Sequence, residues 1–555
     1  MTIYTEIENL LKTALKSTLN SLGNESITSN DVSLERTQDQ SHGDFATSLP
    51  LKICKQLKMA PMELGTLISS NIPKSSMLSK IEVAKPGFIN LFIDHDWICK
   101  ELNTVIKSNE RFGETKSGKN KKVQIEFVSV NPTGPLHVGH VRGAIFGSTL
   151  SNIMKAAGFD VQKEYYVNDA GNQMSKFFES VYARWLQINN QEGIVPEDGY
   201  HGEYLIETAK TISKSIGYDQ NTQENIVQVI GNEGLKITIE KIKDELSDLG
   251  IEFDNWFSEK SLYENGQYKT ILAILDKEGH LVVKDGAKWF TSTEFDDSRD
   301  NVVVRSSGTA TYFATDIAYH YNKFKEREFA LVIDIWGADH QGHIKRMKGA
   351  MQAIGIDPDN LNIITTQMVS IKNQNERIKL STRKNQLVTL KELIDLVGKD
   401  ACRYFFITRS PESQMEFDMD LATTSSSENP VYYIQYAHAR TSNILRTADE
   451  QNLDYSTYDL TLLKSESEIS LIKKILILPE LIDSMALYQQ PHHLPHYSLE
   501  LANRFHSFYE KCRVISNAVE EKDLSKARLQ LVNATKITLK RCLELMGMSA
   551  PDKMQ

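Results

Sequence analysis

The stretch VQIEFVSVNPTGPLHVGHVRGAIFG, residues 123–147, decides how the chain is read. Val123–Val128 is an apolar, β-branched run of the kind buried in a parallel sheet. The loop Ser129–Pro135 carries Pro132 and Pro135, which resist continuing either a strand or a helix. His137 opens a helical pattern that runs to Gly158, a natural stop. A strand, a tight loop and a helix N-terminus together offer backbone N–H groups and a positive dipole end to a phosphate. His137 and His140 share one face of the first turn, and Gly139 leaves the backbone bare for a flat ring. This is the pattern of an ATP site. Capping or core histidines are the bland alternative. A zinc site would need further ligands, and no Cys or acidic residue lies at metal-site spacing here.

The 555 residues imply several domains, and 40% apolar with 25% charged residues is an ordinary globular composition. A net charge of −10 argues against a protein that coats nucleic acid nonspecifically, but a local basic face would suffice for RNA. The five cysteines are scattered, with no CxxC pair, so reduced thiols in a cytoplasmic protein without a zinc ribbon are expected. The amphipathic, acid-containing start MTIYTEIENLLKTALKS is unlike a signal or transit peptide, and LIKKILILPELI (471–482) is interrupted by lysines and a proline, so no membrane partner is expected.

The pattern along the chain predicts a small N-terminal α/β domain over residues 1–110. It has helices at Ile3–Leu22 and around Pro61–Ile72, and a hairpin turning at Pro86-Gly87. A polar, Gly/Lys-rich linker (110–122) leads into an α/β catalytic domain, 111–428, of the doubly wound, Rossmann type. Its second strand, VQKEYYV, ends in the loop NDAGNQ. FALVIDIW, GADHQGH and IKRMKGAMQAIG repeat the strand–loop–helix unit, and LNIITTQMVSI reads as a further strand. Residues 176–300 read as a mostly helical insertion, and LKELIDLVGKDACRYFFITR as one helix. Beyond Asn429 only helical patterns remain, predicting an all-helical C-terminal bundle over 429–555.

NPTGPLHVGHVRGA (131–144), YYVNDAGNQ, GTATYFATDIAYH, WGADHQGHIKRMK, LVGKDACRYFF and NPVYYIQYAHAR, in this order, closely resemble the arginyl-tRNA synthetases, class I aminoacyl-tRNA synthetases. The resemblance runs from SHGDFA in the N-terminal domain to the terminal PDKMQ. HVGH matches the HIGH signature with Val138 for isoleucine. The second signature, KMSKS, aligns with Lys379-Leu-Ser-Thr-Arg, so Thr382 stands where its second lysine would be, with Lys379, Arg383 and Lys384 nearby.

The resemblance implies ATP-dependent activation of arginine to arginyl-adenylate, then transfer to the terminal adenosine of arginine tRNA. His137 and His140, with Lys379, Ser381 and Arg383 of a signature loop at 379–390, would be the catalytic groups. Gly139 would admit adenine, and Gly337 and Asp339 would meet the ribose. Glu126 and Asp316 would pair with the guanidinium, Asn131 would hold the α-amino group, and Tyr312 and His340 would line the pocket. Carboxylates suit that task because a guanidinium is a planar fork of donors, which a lysine ammonium cannot imitate. Mg²⁺ would arrive with ATP rather than in a protein cage, and a monomer is expected. Two rival classes are a catalytically silent tRNA-binding paralogue, favoured by Thr382, and a small-molecule nucleotidyltransferase, which would not need the helical C-terminal domain.

Overall fold

The run at the centre of the sequence forms the middle strand, Lys122–Glu126, of a five-stranded parallel sheet. The computed structural model describes residues 2–24, 27–28, 31–37, 39–216, 225–373, 376–378, 388–516 and 518–554. Across the sheet the strands run Leu361–Thr366, Leu331–Gly337, Lys122–Glu126, Asp160–Val167 and Asn255–Ser258, every pair parallel. The chain builds outward in one direction from Lys122–Glu126, then returns to build outward on its other side. The order therefore reverses between Lys122–Glu126 and Leu331–Gly337, and a crevice at the carboxyl ends of those two strands is where such sheets bind ligands. The helix Val138–Ala156 packs closely against the sheet, and a Cβ on Gly147 would overlap the Phe127 ring.

The N-terminal region is a four-stranded antiparallel sheet with its own apolar core and the helices Ile3–Leu22, Leu49–Leu57 and Pro61–Ser70. Its hairpin, Leu78–Ala84 with Phe88–Ile93, turns at Pro86-Gly87 as the sequence indicates. It docks on the C-terminal helices through Arg36 and Glu480, 2.6 Å apart, and through Lys473 and Asp44. The helix His95–Ser108, expected within the N-terminal domain, instead buries Ile98, Cys99, Leu102 and Val105 in the large core shared with the C-terminal helices. Packing changes hands at residue 94, ahead of the expected boundary at 110. From Pro430–Glu450 to Lys522–Leu545 the described chain is helical.

Residues 176–300 are mostly helical, as expected: Asn172–Ile188, Glu203–Ser215 and Ile226–Asp248 enclose a core around Phe177, Trp185, Leu205 and Ile230, and Lys260–Glu264 and Gln267–Lys277 follow. Strands the pattern reading did not anticipate lie after Asp248: the edge strand Asn255–Ser258 and an antiparallel sheet of Leu281–Lys284, Ala287–Phe290 and Asn301–Val304. Those strands are four residues each, so apolar runs such as Leu281–Val283 and Val302–Val304 are too short to tell a strand from a buried helical turn, and Asn255–Ser258 is half-buried throughout. LNIITTQMVSI is two strands, Leu361–Thr366 and Val369–Asn373, in different sheets. The helix expected over 390–409 breaks at Gly398, whose φ of 81° ends Leu390–Val397 and starts Lys399–Ile407.

Arg403, on that second helix, is fully buried and makes no ion pair with a carboxylate among the described residues. It donates to the Met546 carbonyl, to the Leu249 carbonyl at 2.9 Å and to the Ser148 hydroxyl at 3.0 Å, and burial lowers its guanidinium to about 10. It ties the helix Val138–Ala156, the end of the insertion and the C-terminus to one point. Arg403→Met would keep the bulk but strand these acceptors, at about 1–3 kcal/mol each. Its thermal unfolding midpoint should therefore fall by several degrees, and a variant melting with the native protein would refute the tie.

Candidate active site

The chain turns sharply after Glu126. Val128 and Ser129 have φ of 70° and 43°, and a left-handed β-branched residue is strained unless its surroundings hold it. Here the neighbouring strand does so: Tyr166 N–H donates to Ser129 Oγ at 3.1 Å, and the Tyr165 hydroxyl to the Val130 carbonyl at 2.9 Å. Asn131 donates to Gln173 Oε1 at 2.8 Å, joining this loop to NDAGNQ.

His137 caps the helix Val138–Ala156. Gly139 N–H donates to His137 Nδ1 at 3.2 Å, and His137 N–H to His140 Nδ1 at 3.4 Å, with ring centroids 3.6 Å apart. Burial lowers both imidazoles, His140 to about 3 with help from its neighbour, so both rings are neutral near pH 7. With Nδ1 accepting, the network assigns each ring proton to Nε2. Both Nδ1 atoms are thus used in capping, which leaves each Nε2 N–H as the ring's donor. A Cβ on Gly139 would lie 2.9 Å from His137 Cε1, so a side chain there would displace the ring.

The segment beyond residue 387 is anchored to the same motif. Val138 N–H donates to the Val388 carbonyl at 3.0 Å and Leu390 N–H to the Leu136 carbonyl at 2.9 Å, a short antiparallel bridge. Lys379, Ser381 and Arg383, with Thr382 and Lys384, lie outside the described residues. Arg142, buried in the same helix, donates to the carbonyls of Gln367, Ser410 and Ser413 at 2.7–3.0 Å. Those carbonyls border the strands Val369–Asn373 and Met415–Asp418, which pair beside the start of that loop.

Three carboxylates stand in register across the sheet, Asp334 beside Glu126 and Glu126 beside Glu164. Lys323, fully buried, lies 2.6 Å from Glu126 Oε2 and 2.8 Å from Asp334 Oδ1. It belongs to a π-helical turn, Asn322–Glu326, that continues the helix Tyr312–Tyr321. The His320 ring nitrogens face the Asp316 carbonyl and Asp334 Oδ2, each at 2.7 Å. Glu164 takes Arg327, the Tyr319 hydroxyl and the Gln124 amide. Burial disfavours the Asp334 anion, but Lys323 and His320 outweigh it and bring its carboxyl down to about 2. Burial pushes Glu126 up, against the pull of Lys323.

Asp316, on the same helix, is half-buried, and its carboxylate has no hydrogen bond or ion pair among the described residues. Burial pushes it up to about 6, with Glu126 and Asp334 adding to the shift and His320 and Arg346 opposing it. Glu259, buried after the edge strand, is pushed up to about 7 by burial and by Asp316, and its Oε2 has no partner among the described residues. The structure thus sets Asp316 within electrostatic reach of Glu126. Glu164, Glu259, His320, Lys323 and Asp334 join them, none flagged by any sequence pattern; only strand register and a π-turn place them.

Tyr312 is half exposed, and a Cβ on Gly171 would sit 3.7 Å from its hydroxyl, so Tyr312 and Asn131 flank the NDAGNQ loop from two sides. Gly337 caps the turn Ala338–His343 at the carboxyl end of its strand. Asp339 and His340, 3.5 Å apart, are exposed on that turn. No hydrogen bond or ion pair among the described residues links His340 to Glu126 or Asp316.

Residues 6–93 match the family described as arginyl tRNA synthetase N terminal domain, 101–443 the class I (R) tRNA synthetase catalytic domain, and 434–554 the DALR anticodon binding domain. An arginine–tRNA ligase of Dehalococcoides mccartyi is 49% identical over 526 residues, 94% of each chain. Arginine–tRNA ligase 1 of Halalkalibacterium halodurans is 44% identical over 528 residues, again 94% of each. The arginyl-tRNA synthetase structure from Thermus thermophilus shares the fold over the whole of both chains, with a TM-score of 0.78 at 19% identity. A helix start capped by two histidines beside a cluster of carboxylates therefore has its relatives, and the chain belongs to the arginyl-tRNA synthetase family.

Proposed function

We propose that this chain activates arginine with ATP and transfers it to arginine tRNA through the residues gathered at the sheet's switch point. The observation that carries the reading is Asp316: a half-buried carboxylate facing Glu126, without an ion pair of its own among the described residues. A guanidinium, delocalised and always charged, is the ligand that such a pair accommodates. Asn131 holds the α-amino group, and Tyr312 and His340 line the pocket.

The arginine carboxylate attacks the α-phosphate in line, forming the mixed anhydride and releasing pyrophosphate. The 2′-hydroxyl of the terminal adenosine then attacks the activated carbonyl, and AMP leaves. Charge builds on phosphate oxygens, so positioned donors matter more than proton relays. The Nε2 protons of His137 and His140, and the N-terminal dipole behind them, supply such donors. Gly139 leaves room for adenine, Gly337 and Asp339 take the ribose, and Lys379, Ser381 and Arg383 close on the phosphates. Mg²⁺ enters with ATP, and zinc has no part. The protein works as a cytoplasmic monomer. Residues 429–555 read the anticodon, where Tyr432, Tyr436 and His506 stack in sequence and Arg440 lies over Tyr509. Residues 1–110 bind the tRNA's outer corner.

Arginine-dependent ATP–pyrophosphate exchange, measured with and without tRNA, tests the whole reading; exchange driven by another amino acid would overturn it. His137→Ala or His140→Ala should slow adenylate formation about one hundredfold, as for other preorganised donors. Adenylate formation at the native rate in both variants would remove the rings from the phosphates. Asp316→Asn should weaken arginine binding by about 2–5 kcal/mol. In the native enzyme a proton competes with arginine for Asp316 once the pH falls below about 6. The arginine KM should then rise about tenfold per pH unit, whereas an unchanged KM at pH 5 would place Asp316 outside the pocket.

A further inference from the structure

The pocket holds more acid than base. Glu126, Asp334, Glu164 and Asp316 face one another from two adjacent strand pairs and one helix, against three cations, Lys323, Arg327 and, acting on Asp316, Arg346. Carboxylates at such spacing share protons unless a cation lies between them. Arg327 is committed to Glu164, which also takes the Tyr319 hydroxyl, the Gln124 amide and the Asn255 amide. Asp334 has His320 as well as Lys323. Glu126 has Lys323 alone: its Oε2 is 2.6 Å from the ammonium, and Oε1 makes no hydrogen bond among the described residues.

We propose that Lys323, without touching the substrate, determines the specificity of the pocket by keeping Glu126 a carboxylate and turning it so that Oε1 is free for the guanidinium. A compact ammonium suits this place, because it must reach single oxygens of two separate carboxylates rather than both oxygens of one. The π-turn that carries Lys323 is what brings its side chain inward, beneath the sheet's carboxyl edge and against the Tyr319 ring at 4.1 Å. The inference rests on Glu126 being an arginine-binding residue.

The charged and titratable groups facing Glu126 come from three directions. Asp334 lies on one neighbouring strand, Glu164 and Tyr166 on the other, and Asp316, Tyr319, His320 and Lys323 on the helix and its π-turn, with Arg327 just beyond. Among these, Lys323 supplies the main pull holding Glu126 ionised. Burial already pushes that carboxyl up, and losing the ammonium moves it further up. Glu126 would then hold its proton to higher pH than in the native enzyme and release it as the pH rises further. The guanidinium stays charged throughout, so arginine should bind weakly at low pH and recover at high pH. For each unit by which the carboxyl exceeds the ambient pH, the binding-competent fraction falls about tenfold and the arginine KM rises about tenfold.

The test measures aminoacylation KM for arginine and for ATP on the full chain, with tRNA, from pH 6.5 to 8.5. The variants are Lys323→Met, Lys323→Gln, Lys323→Arg and Glu126→Gln. Lys323→Met and Lys323→Gln should raise the arginine KM about tenfold or more over native at pH 6.5. That ratio should fall towards one at pH 8.5 while the ATP KM holds. Lys323→Arg keeps a cation and should show a smaller ratio that does not change with pH. A ratio near one, or an elevated ratio flat in pH for Met and Gln, overturns the inference. So does Arg behaving like Met. Glu126→Gln separates the two levels: an unchanged arginine KM there overturns the pocket reading itself, whereas a raised KM beside pH-independent Lys323 variants overturns only the role of Lys323.

Discussion

Asp334, Glu126 and Glu164 stand side by side on three parallel strands, and the helix Tyr312–Tyr321 with its π-turn is held over them by Lys323, His320, Tyr319 and Arg327. Parallel strands in the middle of a sheet are covered on both faces, so charges there survive only when paired. That requirement ties the distant segments 122–126, 160–167, 312–327 and 331–337 to one another. It also leaves a surplus: one carboxylate, Asp316, waits at the opening without a partner among the described residues. In the function proposed, the electrostatics that fix the helix to the sheet would also select a cation.

The second half of the site is built by backbone rather than by charge. A strained turn at Val128 and Ser129 redirects the chain from the sheet into a helix whose first residues cap themselves with imidazole nitrogens. The caps consume Nδ1 and leave Nε2 as donors, so in the function proposed neither histidine would have to be charged to meet a phosphate. The bridge from Leu136 and Val138 to Val388 and Leu390, and the three carbonyls held by Arg142, fasten both flanks of the second signature loop to that helix.

Much of this was legible in the chain itself. Apolar Val123–Val128, the proline loop and HVGH announce strand, turn and phosphate-facing helix, because each uses a local preference with a short-range signature. YFATDIAYH and GADH gain meaning only from resemblance; taken alone, Asp316 reads as an ordinary helix acid. Lys323, Asp334 and Glu164 were invisible because their roles come from strand register and a π-turn, which no periodicity encodes. The edge strand Asn255–Ser258 escaped for a related reason: a short, half-buried strand paired on one side needs no apolar run. His95–Ser108 shows the limit for boundaries, since its amphipathic pattern is plain and only the tertiary packing reveals that it faces the C-terminal helices.

The account stands on a guanidinium lying between Asp316 and the free oxygen of Glu126. A crystal structure of the enzyme with arginine bound tests this directly. The predicted result places guanidinium nitrogens within about 2.7–3.2 Å of Asp316 and Glu126 Oε1, with Lys323 still on Glu126 Oε2 and the arginine carboxylate directed towards the helix N-terminus at His137. Arginine bound with its side chain elsewhere, or with Lys323 displaced from Glu126 by the guanidinium, would contradict it.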